Sequence, residues 1–266
     1  MLFIEPYAVS AYNTARESEN KIHDDEVARK FGFGGGLVPG VDVYAYMAHM
    51  PVAAWGRDWL ARGRAECRFF KPVYDGEIAT VTAREDDSGI AIEVTSRGEL
   101  CATGHALLPA EPPAVAGLEG FGGAVPPDIR PAADEATLAE GTRLAIRPLP
   151  VSAEFAGQYL QDLRETDPLY RRDGLAHPGM ILRTMNWALV QNVVLGPWIH
   201  VGSTMQNYSP VAVGETVSAQ ARVVANYEHK GHRFVELDGL VLADGARPVA
   251  RITHTAIYRP RQVAAA

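Results

Sequence analysis

Two stretches near the start of the chain hold residues that could do chemistry. Glu17-Ser18-Glu19-Asn20-Lys21-Ile22-His23 ends in an imidazole. Its ordinary pKa of about 6.5 suits both taking and giving a proton at neutral pH. Ahead of it stand an amide (Asn20) and a hydroxyl (Ser18), either able to hold a water, and a carboxylate (Glu19). Leu37-Val38-Pro39-Gly40 then leads into the apolar run VDVYAYMAHM. A glycine opening a helix lets an oxygen approach unpaired backbone N–H groups at the positive end of the helix dipole. Each residue also has a plainer reading. His23 precedes Asp24-Asp25-Glu26, acidic residues that favour a helix start, and can be a surface histidine beside a cap. Asn20 can be an Asx-turn residue, and Gly40 a glycine serving only its turn. Glu19, adjacent to Asn20 on an extended segment, points to the other side and is expected in solvent.

The elements that must position these residues belong to an ordinary globular chain. It has 266 residues, 47% hydrophobic and 21% charged, enough for one large domain or two small ones. The net charge of −7 and the absence of any basic cluster longer than Arg171-Arg172 exclude nucleic acid as an expected partner. Cys67 and Cys101 lack CxxC spacing, so a reducing cytosol is expected rather than a disulfide scaffold or structural zinc. His229 and His232 bracket a turn without neighbouring ligands, and no metal is expected. The first residues have no basic segment ahead of an apolar run, and Val193-Val194-Leu195 falls far short of the ~20 apolar residues a membrane span needs. A cytoplasmic protein with no membrane partner is expected.

The chain repeats itself once. Phe70-Lys71-Pro72-Val73-Tyr74-Asp75-Gly76-Glu77 matches Tyr208-Ser209-Pro210-Val211-Ala212-Val213-Gly214-Glu215. Pro39-Gly40 before one apolar helix matches Pro178-Gly179 before another, and His105-Ala106-Leu107-Leu108 resembles His254-Thr255-Ala256-Ile257. Three landmarks in one order at nearly constant spacing indicate a duplication. Residues 109–141 hold six prolines, five glycines and eight alanines, a composition that reads as a surface linker. The expected organisation is therefore 1–108, a linker at 109–141, and 142–266. In each half a helix precedes strands joined at turn signals such as Asp86-Asp87-Ser88-Gly89, Arg97-Gly98, His229-Lys230-Gly231 and Asp244-Gly245. That order predicts an α+β fold, an antiparallel sheet curled around a helix, and disfavours a Rossmann fold. Phe31-Gly32-Phe33-Gly34-Gly35-Gly36 lacks the Lys-Ser/Thr ending of a phosphate loop and reads as a flexible flap.

Ser18-Glu19-Asn20-Lys21-Ile22-His23, with Gly40 and the Pro-Val-x-x-Gly-Glu blocks, resembles the MaoC-like (R)-specific enoyl-CoA hydratases and dehydratases. Their signature runs Asp-x-Asn-Pro-hydrophobic-His, followed by a glycine opening the central helix. The resemblance covers both halves. It implies a double hot-dog: two antiparallel sheets, each wrapped around a central helix, joined into one pseudo-dimeric unit. It further implies reversible addition of water to a 2-enoyl thioester, a coenzyme A ester as the small-molecule substrate in fatty acid metabolism, and no cofactor. His23 would be the general acid/base, Asn20 a water or substrate positioner, and Gly40 the oxyanion donor. His49 and Tyr44 on the same helix would line the acyl site, with solvent as the alternative for His49.

Two departures stand out. Ser18 occupies the place of the family's acid, leaving Ser18 as a water holder or Glu19 as the nearest substitute acid, and Lys21 replaces the proline. The second half reads Glu165-Thr166-Asp167-Pro168-Leu169-Tyr170, then His177-Pro178-Gly179, with tyrosine where the imidazole would be. It is expected to be a degenerate half that supplies sheet and part of the groove. A hot-dog thioesterase and, because the acid is lost, a non-catalytic acyl-CoA-binding module are the alternatives. Homodimerisation of such chains stays open.

Overall fold

The computed structural model describes residues 4–115 and 120–261; residues 116–119 of the expected linker and both chain ends lie outside them. The first half comprises β1 (Tyr7–Ser10), α1 (Asp25–Lys30), α2 (Gly40–Arg62), β2 (Arg64–Phe69), β3 (Ile78–Asp86), β4 (Gly89–Ser96) and β5 (Glu99–Leu107). The second comprises β6 (Arg143–Ala145), β7 (Leu149–Pro150), α3 (Ala153–Asp162), α4 (Leu169–Asp173), α5 (Pro178–Val190), β8 (Ile199–Asn207), β9 (Thr216–His229), β10 (His232–Ala243) and β11 (Arg247–Arg259).

These strands form one sheet in the order β1-β3-β4-β5-β2-β8-β11-β10-β9-β6, with β7 also beside β9. Outward from the β2–β8 seam, both halves repeat one connectivity, so the sequence duplication is visible as topology. The seam runs antiparallel from Arg64 opposite Gln206 to Arg68 opposite Gly202, and makes one continuous sheet of the two halves. The turn dipeptides act as their residues predict. Arg97-Gly98 joins β4 to β5 and Lys230-Gly231 joins β9 to β10, every one of the four with positive φ. Such turns match the right-handed twist of the strands they connect.

The two long helices lie against each other inside the curl of this sheet. α2 is buried on nearly every side from Val41 to Val52, as an interior helix must be; beyond it the helix kinks at Gly56, and Trp59 and Leu60 return to the core. α5 begins with Pro178, and the His177 ring caps it by accepting from the Gly179 N–H. One core runs through both halves, from Val41 and Trp59 to Leu182 and Leu237.

The described part of 109–141 holds no named helix or strand. Val125 and Ile129 are exposed there, but the segment's end is more firmly tied than its Pro/Gly/Ala content suggested. Ala132 bridges to Val194, Asp134 caps the turn at Thr137, and Leu138 is fully buried. The buried Leu138 and the backbone bonds of Pro131 and Ala133 with Val194 together anchor a segment whose composition otherwise reads as surface.

Candidate active site

The segment before α1 is shaped by two asparagines. Asn13 donates from its amide to the carbonyl of His23, and Asn20 caps the single 3-10 turn Lys21–His23 by accepting from Ile22 N–H. Asn20 also reaches across to the second half. Its Nδ2 donates to Trp198 O at 3.0 Å, and its Oδ1 accepts from Trp198 N–H at 3.1 Å. The same Nδ2 lies 3.3 Å from His23 Nε2. With both ends committed, Asn20 holds the loop and the imidazole, and no group is left over to hold a water.

His23 is thereby set in one tautomer. Nδ1 lies 2.6 Å from Leu37 O, which can only accept, so Nδ1 carries the proton and Nε2 is the unprotonated, basic nitrogen, facing the Asn20 amide. Burial pushes the His23 pKa below its ordinary value, and the Arg183 guanidinium adds to this. The Leu37 carbonyl and the Asp42 carboxylate pull the other way. The glycine run makes the packing possible. A Cβ on Gly36 would lie 2.2 Å from His23 O, and the loop is fastened by Asp25 accepting from Gly36 N–H and Tyr74 accepting from Gly34 N–H. It is a packed loop, fixed on both sides, rather than a flap.

Gly40 opens α2, and neither its N–H nor that of Val41 meets an acceptor among the described residues. Beside it sits His200, which sequence reasoning missed. A Cβ on Gly40 would lie 2.8 Å from His200 Nδ1. His200 Nε2 is 2.8 Å from Ser203 Oγ, which is 3.0 Å from His254 Nδ1, while His200 Nδ1 and His254 Nε2 have no partner. A buried N–H without a partner costs more than a bare ring nitrogen. The chain can run in either direction through Ser203, and each direction leaves one buried N–H without a partner, on His200 Nδ1 or on His254 Nε2. Burial keeps both rings neutral, pushing the His254 pKa down to about 3, and the neighbouring His254 lowers His200 further.

Two lobes of about 310 Å³ each meet at a wall shared by Asn20, His23, Pro39, Asn186 and Trp198. Gly40 and His200 line the first lobe with apolar side chains such as Phe33, Val43 and Phe69, and Lys71 and His232 also line it; none of its lining residues is an aspartate or glutamate. Ser18 and Glu19 lie on the second lobe. The Ser18 hydroxyl is 3.4 Å from Asn20 O. Glu19 is exposed and held by Arg130 at 2.9 Å, a hydrogen bond that lowers its pKa; its carboxylate is committed away from His23. Asn186, from α5, is the second residue that sequence reasoning missed.

The structure does not bring His49 or Tyr44 to either lobe. His49 Nδ1 lies 2.8 Å from Glu165 Oε1, and its ring stacks on Tyr7 with centroids 3.9 Å apart. Nine positions beyond Gly40 is two and a half helical turns, which places His49 on the opposite face. Tyr44 is buried against Trp59 and Ile92, its hydroxyl without a partner.

The counterpart position in the second half is filled. A Cβ on Gly179 would lie 2.6 Å from both Tyr159 OH and the Cβ of Ala45, and Tyr170 is buried beside His177. Glu165, where the second copy's acid would stand, is clamped by His177 at 3.3 Å and by His49. Burial would raise its pKa, but these two histidines hold it well below the carboxylate range.

Fold and site together define a double hot-dog protein with its cavity at the first half's central helix. No protein-family model matches the sequence, and no curated protein matches it. Solved structures share the fold. A protein named as a MaoC-domain dehydratase from Chloroflexus aurantiacus is 12% identical, with a TM-score of 0.60, over 96% of this chain and 93% of that one. A double hot-dog protein from Mycobacterium tuberculosis is 16% identical with a TM-score of 0.59, over 95% of each chain. One named as a thioesterase, from Novosphingobium aromaticivorans, is 13% identical with a TM-score of 0.51, over 96% and 95%. The architecture is thus the one found in MaoC-like dehydratases and in hot-dog thioesterases alike.

Proposed function

We propose that this protein is an acyl-thioester hydratase/dehydratase that works at a single site in its first half. The observation that carries the reading is His23, with Nδ1 fixed by Leu37 and Nε2 unprotonated, on the wall of a cavity that also contains Gly40 at the start of α2. In the hydration direction the 3.3 Å contact with Asn20 Nδ2 opens, and Nε2 takes a proton from water as the water oxygen bonds to C3 of a 2-enoyl thioester. The double-bond electrons move onto C2 and the thioester oxygen, where the Gly40 N–H stabilises the enolate. The enolate then collapses, C2 takes the proton back from Nε2, and the 3-hydroxyacyl thioester leaves His23 neutral again. Coenzyme A is part of the substrate, and the reaction as proposed uses no cofactor. The two buried free thiols suit the cytoplasm to which we assign it.

A thioesterase that works through a carboxylate aimed at the carbonyl carbon finds none in the lining of the first lobe. The same fact favours a second reading, an acyl-thioester-binding module in which the acid was lost with Ser18. Product analysis with crotonyl-CoA separates the three. The proposal expects 3-hydroxybutyryl-CoA. Release of free thiol would make it a thioesterase, and binding without turnover would make it a binding module.

A further inference from the structure

At the wall where the two lobes meet, the polar side chains are those of His23, Asn20 and Asn186, with the indole N–H of Trp198, a donor only, also covered and without a partner. His23 is the proton carrier, and Asn20 is consumed by Trp198, Ile22 and His23. Asn186 is different. It lines both lobes, its Oδ1 is covered from solvent without a partner, and neither end of its amide makes a hydrogen bond among the described residues. On α5, Leu189 one turn ahead is fully buried, and Arg183 one turn behind lines the second lobe with it but is committed to Asp42 and Thr14. An amide kept there without partners costs folding free energy that leucine or methionine at the same position would not. Unsatisfied polar groups of this kind are uncommon and concentrate where a ligand completes them.

We propose that Asn186 is the catalytic residue that holds the reacting oxygen opposite His23, binding the attacking water and then the 3-hydroxyl group of the product. This rests on the hydratase reading and gives the second half a part in the site. The first half supplies the proton carrier and the oxyanion donor, and the second supplies the water holder from its own central helix. The carboxamide takes up the task left open by Ser18, because its amide can accept from water at one end and donate to it at the other. It cannot ionise, so His23 remains the one group that moves the proton.

The test is Asn186→Ala with Asn186→Asp beside it, reading turnover of crotonyl-CoA, thermal stability, and binding of 3-hydroxybutyryl-CoA against butyryl-CoA. Asn186→Ala should lower kcat by at least about tenfold, since positioned groups of this kind contribute about 10²–10⁴-fold when fully effective. Its melting temperature should stay the same or rise, because no hydrogen bond is lost. It should weaken the 3-hydroxy ester selectively and leave the butyryl ester unaffected. Asn186→Asp should keep turnover and add a new acidic limb to the pH profile. Unchanged kcat in Asn186→Ala would overturn the inference while leaving the hydratase reading intact. Lowered stability with equal loss of both esters would overturn it too, as a packing role. If the wild type does not turn over, the hydratase reading falls and the catalytic role of Asn186 with it, and selective loss of the 3-hydroxy ester would leave Asn186 as a binding residue for the 3-hydroxyl group alone.

Discussion

Asn20 and Trp198 exchange two hydrogen bonds across the halves, side-chain Nδ2 to Trp198 O at 3.0 Å and Trp198 N to Oδ1 at 3.1 Å. The amide acts as a one-residue strand: it pairs with the backbone just ahead of β8 and fixes where His23 stands. Asn20 is therefore a positioning residue. Asn20→Ala strands a buried N–H and C=O and should cost about 2–4 kcal/mol of stability. Denaturant unfolding should show that loss, and kcat should fall with it because the His23 ring is no longer held. An Asn20→Ala protein of wild-type stability would contradict the clamp.

Tyr170 should be dispensable. Its hydroxyl is buried without a partner, in a half whose helix N-terminus is already filled by Tyr159. Tyr170→Phe should leave hydration within a few-fold and leave stability unchanged or raised, because an unsatisfied polar group is removed. A loss of turnover on the scale of a His23 variant would show that the second half has a site of its own.

Gly40→Ala tests the oxyanion position. The new Cβ would meet His200 Nδ1 at 2.8 Å and the His200 Cβ at 3.2 Å, so the ring or the helix start must move. We expect a fall in kcat of at least about tenfold, given that one oxyanion donor is commonly worth 10²–10³. Circular dichroism should show a folded protein. Full activity in this variant would remove Gly40 from the mechanism.

Acid should destabilise the protein early. In the unfolded chain histidines take up protons below pH of about 6.5, whereas burial keeps His200, His254 and His23 neutral in the folded state. The unfolded state then binds more protons, so stability present above that pH is lost as it falls toward about 3, the value to which His254 is pushed. The urea midpoint should be lower at pH 5 than at pH 7.5. The drop should be smaller in His254→Asn, whose amide can keep the bond to Ser203 without titrating. The acid limb of kcat/KM should likewise lie below the ordinary histidine value, because His23 is lowered. Equal midpoints at the two pH values would contradict the buried neutral imidazoles.

The parts legible in the sequence were those written locally. The Pro-Val-x-x-Gly-Glu repeat announced the duplication that the mirrored strand order displays, and Arg97-Gly98 and Lys230-Gly231 marked the hairpins. Asn20, His23 and Gly40 come together because one short segment and one helix start carry them. His200, Trp198 and Asn186 were not legible: they reach the same cavity from the other half, through the β2–β8 seam and α5, and no local spacing announces a partner so distant in sequence. His49 was misplaced by counting it onto the helix without counting its turn. Helical periodicity alone, at 3.6 residues per turn, sets it opposite Gly40, where it meets Glu165.

The central claim is that His23 Nε2 moves the proton. Its most direct test is steady-state hydration of crotonyl-CoA by wild type and His23→Ala, with folding matched by circular dichroism. The account predicts formation of 3-hydroxybutyryl-CoA by the wild type and a fall in kcat/KM of at least about 100-fold in the variant, the lower range for a positioned general acid/base. Hydration that survives His23→Ala within a few-fold would contradict it.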